Sequence, residues 1–87
     1  MTIPEKLRDA QDFINRELQK QGVDRIYAID WEQIPQDRAT RTHRLVVFGG
    51  EGKSIFTFTE YELLENHGSK QWEKSLRDHV GDILTEF

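Results

Sequence analysis

Six consecutive residues, Gly49-Gly50-Glu51-Gly52-Lys53-Ser54, have the composition of the end of a phosphate-binding loop. Such a loop cradles phosphate with backbone amides, a lysine and the N-terminus of the helix it opens. Its pattern, G-x-x-x-x-G-K-[ST], puts the first glycine at position 47, which is Val47 here. The residues that follow, Phe56-Thr57-Phe58, continue a strand rather than a helix. Spacing and context both fail, and the segment reads instead as a hairpin tip whose glycines supply positive φ angles.

Histidines 43, 67 and 79 are the next residues with chemistry to offer. None stands in H-x-x-x-H or H-x-H spacing, and no carboxylate completes a ligand pattern around one of them, so no metal site is expected. His43 is expected at the border of a strand's core face, His67 at a helix end and His79 beside a helical stripe. Ser54, Ser69 and Ser75 lack the strand-turn-helix context of a nucleophile elbow. There is no cysteine, which removes disulfides, thiolate zinc sites and a cysteine nucleophile. The carboxylates fall on solvated helix faces or in caps, with no pair forced together to separate their pKa values. No catalytic residue and no cofactor is assigned, and a small enzyme is the third-ranked expectation. It requires a concave pocket holding a histidine and a carboxylate within hydrogen-bond reach.

One basic concentration interrupts an acidic chain: Arg38, Arg41, His43 and Arg44, with Lys53 across the hairpin. Sixteen acidic residues against twelve basic ones give a net charge of −4, the wrong sign for nonspecific attraction to nucleic acid or anionic lipid. Nucleic-acid binding through Arg38–Arg44 is therefore the second-ranked function. No apolar run approaches the ~20 residues that a membrane helix needs. The opening Met1-Thr2-Ile3-Pro4-Glu5 lacks the charged and apolar regions of a secretory signal, and the cytoplasm is the expected location.

The elements that position these residues follow from periodicity. Thr2 and Glu5 have capping-box spacing, and Pro4 suits a first helical turn. Leu7, Ala10, Ile14 and Leu18 then form one apolar stripe, widened by Phe13, which predicts a helix from about Ile3 to Gln21 stopped by Gly22. From Arg25 to Ile34 the period becomes two. Tyr27, Ile29 and Trp31 share one face of a strand, with Ile26, Ala28 and Asp30 on the other. Pro35-Gln36-Asp37-Arg38 has turn chemistry.

Thr42 to Phe48 is apolar on both faces through Leu45-Val46-Val47-Phe48, as a central strand should be. Ser54 to Phe58 resumes the strand pattern. With Gly50-Glu51 at the tip, paired residue numbers sum to 101, so Leu45 faces Phe56 and Val46 faces Ile55. One sheet face then carries His43, Leu45, Val47, Phe56 and Phe58. The opposite face carries Arg44, Val46, Phe48, Lys53, Ile55 and Thr57. Thr59-Glu60-Tyr61-Glu62 repeats the capping-box spacing and opens a short helix. His67-Gly68 can end that helix, and Ser69 can cap another in which Trp72, Leu76, Val80, Ile83 and Phe87 form the stripe. Whether residues 60 to 87 form one helix or two is left open by the pattern. Trp31 and Trp72 each lie on the apolar stripe of their own element and are expected in the core.

The order helix, three strands, helix is shared with double-stranded RNA-binding domains, whose last helix opens on a lysine cluster that grips phosphates. Here Lys70 and Lys74 stand among Glu73 and Asp78, and the family is not assigned. The expectation is one α+β domain over residues 1–87: helix, three-stranded antiparallel meander, then one or two C-terminal helices (α-β-β-β-α). Its favoured function is noncatalytic. A protein partner or a second copy would dock on the second sheet face through Ile26, Val46, Phe48 and Ile55, with Arg44 and Lys53 at the rim.

Overall fold

The computed structural model describes residues 5–32, 42–50 and 52–87. Outside these lie Thr2 and Pro4 of the first expected cap, Gln33 and Ile34 at the end of the first expected strand, the Pro35–Arg38 turn, Arg41 and Glu51. The elements run α1 (Glu5–Gln21), β1 (Ile26–Glu32), β2 (Thr42–Gly49), β3 (Gly52–Thr59), α2 (Glu60–Leu64) and α3 (Lys70–Leu84). The chain is an α+β fold of a helix, a three-stranded antiparallel meander and C-terminal helices.

The apolar stripe of α1 buries Leu7, Ala10, Phe13, Ile14 and Leu18. That of α3 buries Trp72, Leu76, Val80, Ile83 and Leu84. Both meet Leu45, Val47 and Phe58 from one face of the sheet in a single cluster, with Leu63 of α2 closing it. Two apolar helix faces and one apolar sheet face thus cover one another, the arrangement that removes most hydrocarbon from water.

The sheet order is β1-β2-β3, which leaves β1 and β3 as edges among the described residues. β2 and β3 pair from Thr42 with Thr59 through Gly49 with Gly52, every pair summing to 101 as the turn predicts. Gly52, at φ +141°, has a backbone conformation that glycine tolerates best. The capping box at Thr59 is complete: its hydroxyl accepts from the Glu62 amide at 3.1 Å, and the Glu62 carboxylate accepts from the Thr59 amide at 3.0 Å. The open question of one helix or two resolves as two. Asn66 (φ 59°) and Gly68 (φ 84°) turn the chain, and Ser69 then accepts from the Trp72 amide at 3.1 Å to start α3.

β1 departs from its simple alternation. A bulge lies between Ile26, which pairs with Gly49, and Ala28, which pairs with Phe48. The extra residue reverses the facing of the strand's first two side chains. Ile26 packs against the core instead of joining the second face. Tyr27, expected beside Ile29 and Trp31, is 77 % exposed. Trp31 and Ile29 keep the expected side, packed on the core, and Trp31 donates its indole N–H to Asn15 at 2.8 Å.

Candidate interaction face

The sheet's second face is a lattice of three rows set by the two registers. Across β1, β2 and β3 the rows are Ala28–Phe48–Lys53, Asp30–Val46–Ile55 and Glu32–Arg44–Thr57. All three helices contribute their buried residues to the opposite face, and the described elements leave this one uncovered. Phe48 and Ile55 are 38 % and 50 % exposed, large apolar side chains held towards water. Val46 is only 4 % exposed yet lies outside the main core cluster. Its register partners are Asp30 on β1 and Ile55 on β3.

The face is polar at one end and apolar at the other. Arg44 lies directly across from Glu32, and its Nη1 is 3.3 Å from Glu32 Oε2 with both side chains well exposed. Such a pair adds little stability. Its consequence is orientation: the guanidinium is turned along the row towards β1 and away from the apolar end. Lys53 closes the opposite row beside Phe48. At that end Tyr27 lies over the hairpin, its hydroxyl 3.7 Å from where a Cβ on Gly50 would sit.

Of the residues singled out in the sequence, Arg44, Val46, Phe48, Lys53 and Ile55 come together on this face, and Ile26 does not. The alternation of β1 carries no sign of the bulge, and on its own it places Tyr27 on the face of Ile29 and Trp31. Arg38 and Arg41 lie outside the described residues, and the basic segment is represented here by Arg44 and His43 alone. His43 is on the other side of β2 and buried, with its Nε2 unpartnered among the described residues. Burial pushes its pKa below the ordinary 6.5, against the opposing pull of the Glu60 carboxylate.

A second concavity, a broad groove of about 890 Å³, runs between α1 and the α2–α3 turn. In it His67 Nε2 and Asp9 Oδ2 lie 3.1 Å apart, a histidine and a carboxylate within hydrogen-bond reach. The ring of His67 meets Trp72 edge-on at 4.9 Å, and Trp72 in turn meets Phe13 at 5.5 Å. Asp9 and His67 are 58 positions apart, and no local spacing signals the pair. Among the described residues, no serine, threonine or tyrosine lines the groove. The neighbouring Ser69 hydroxyl donates to the Asn66 carbonyl at 2.6 Å and caps α3, which fixes it in a structural role. His79, beside the α3 stripe as expected, meets Phe58 edge-on at 5.3 Å.

Among the described residues, no three histidine or carboxylate side chains converge as metal ligands would. No helix among them is long and apolar enough to cross a membrane. Comparison with family models, with curated proteins and with solved structures finds no match to this chain.

Proposed function

We propose that this chain is a noncatalytic interaction module that receives a protein partner on the second face of its sheet. The observation that carries the reading is the exposure of Phe48 and Ile55 beside the buried Val46, on a face that no helix among the described residues packs against. A sheet that leaves large apolar side chains at its centre and charges at its border presents the usual layout of an interface, an apolar core with a polar rim. Ala28 and Tyr27 extend the apolar part, Lys53 and Asp30 flank it, and the Glu32–Arg44 pair bounds its polar end.

The electrostatics favour a protein over a nucleic acid. Arg44 is already engaged by Glu32, and Asp30 stands on the same face, so among the described residues little net positive charge faces outward. The test compares proteins captured from the source cell's extract by the wild-type chain, by Phe48→Asp and by Tyr61→Asp. Tyr61 is a control of similar chemistry, 69 % exposed but on α2. Specific bands lost with Phe48→Asp and kept with Tyr61→Asp support the face. Identical capture by all three overturns it.

A second reading has one observation in its favour. His67 and Asp9 meet in a groove, as an acid–base catalyst requires. The same contact also ties the α2–α3 turn to α1, and no hydroxyl side chain among the described residues lines the groove beside it. A His67→Gln chain that loses thermal stability while no hydrolytic or isomerising activity is detectable in the wild type assigns the pair to structure.

A further inference from the structure

We propose that two copies of this chain pair through the free edge of β3, antiparallel, about a two-fold axis at Ile55. The inference concerns an edge rather than the face and stands independently of the reading above.

The two edges of the sheet are built differently. β1 carries the bulge at Ile26/Ala28 and the carboxylates Asp30 and Glu32, devices that keep a strand from adding to another sheet. β3, Gly52–Thr59, is eight residues long with an unbroken register. Its sequence, GKSIFTFT, has one charge, no proline and mostly β-branched or aromatic side chains. Its one device against pairing is Lys53, at the end of the strand beside the hairpin tip.

The hydrogen-bonding groups locate the axis. The amide of Thr59 donates to the Glu62 carboxylate and not to β2, so it lies on the outer side of the strand. In an antiparallel strand the side to which these groups point alternates residue by residue. The backbone groups of Thr57, Ile55 and Lys53 therefore face outward as well. Among the described residues none of these three has a backbone partner beyond the sheet. The Thr59 amide is consumed by the capping box, which leaves a run of three outward residues whose centre is Ile55.

A copy turned by 180° about that centre presents the same run in reverse. Ile55 then meets Ile55 of the second copy and exchanges both hydrogen bonds with it. Lys53 meets Thr57, so the two ammonium groups are kept apart. On the core side Ser54 meets Phe56. Shifting the centre to Phe56 would set Lys53 against Thr59, whose amide is already taken. The centred register makes one six-stranded sheet, β1-β2-β3-β3-β2-β1. Its middle row reads Asp30–Val46–Ile55–Ile55–Val46–Asp30, an apolar band with a carboxylate at each end. The association is self-complementary and closed, as a two-fold dimer must be.

The absence of cysteine makes the geometry directly testable. Ile55→Cys places two sulfurs across a hydrogen-bonded pair with Cα atoms ~5.5 Å apart, within disulfide reach. Lys53→Cys leaves its two copies offset by four residues, about 13 Å along the strand. The expected result is a wild type sedimenting at twice the chain mass and an Ile55→Cys chain that cross-links quantitatively on mild oxidation while Lys53→Cys does not. Phe48→Asp should remain dimeric. Thr57→Pro removes an outward amide without touching a β2 hydrogen bond, and should sediment as a folded monomer. A monomeric wild type overturns the proposal, as does equal cross-linking at positions 53 and 55. Loss of the dimer in Phe48→Asp with its retention in Thr57→Pro also overturns it, and would assign self-association to the face instead.

Discussion

Val46 and Ile55 are directly opposed on neighbouring strands, yet the first is 4 % exposed and the second 50 %. One cross-strand pair thus contains a residue used for stability and a residue left available. Val46→Asp sets a buried carboxylate opposite Asp30 on the adjoining strand and should destabilise the chain at the upper end of the ~0.5–3 kcal/mol range of single substitutions. Ile55→Asp keeps its charge in water and should cost about 1 kcal/mol or less. Thermal unfolding of the two variants in dilute solution separates them. Equal losses would mean that the face is covered.

The two helix caps should prove separately measurable. Thr59→Ala removes the acceptor of the Glu62 amide, and Ser69→Ala removes that of the Trp72 amide. Each should lower stability by ~1 kcal/mol in urea unfolding. Because the two sites share no partner, the double variant should lose close to the sum.

Much of this could be anticipated because the deciding interactions are local. A two-residue tip sets the hairpin register, so Leu45 opposite Phe56 follows from the glycines alone. The stripes of α1 and α3 follow from period, and the caps from spacing over three residues. The β1 bulge was not legible, because an extra residue costs no change in composition and only the pairing with Gly49 reveals it. Nor was the His67–Asp9 contact, whose partners share no element. The Glu32–Arg44 pair depends on the β1–β2 register, which no local pattern in the sequence defines.

Acid should weaken the fold through His43. In the unfolded chain its imidazole takes up a proton near 6.5, whereas burial holds the folded pKa below that. Between the two values the unfolded state binds more protons, so stability rises with pH through this window and falls as pH drops below about 6.5. His43→Phe should flatten this part of the profile of melting temperature against pH. A profile unchanged by the substitution would assign the acid sensitivity elsewhere.

The hairpin glycines should differ sharply in tolerance. Gly52→Ala forces a side chain into φ +141° and should cost ~1–3 kcal/mol. Gly50→Ala meets nothing closer than 3.7 Å and should change stability by less than about 0.5 kcal/mol. Gly49→Ala would drive a methyl to within 2.5 Å of the Phe87 ring, and should loosen the end of the chain before it loosens the hairpin. Amide exchange at residues 84–87 reads that directly.

The placement of α3 also sets a schedule. Five of the core's buried side chains, from Trp72 to Leu84, come after the whole sheet in chain order. As a ribosome extends the chain, the β2–β3 hairpin can close within microseconds of emerging, but the apolar face beneath it has no second helix to shield it. Synthesis at ~5–20 residues per second leaves that face bare for a second or more. A nascent chain stalled with residue 68 just clear of the exit tunnel should therefore be protease-sensitive and chaperone-bound, and one stalled with residue 87 clear of it should be neither.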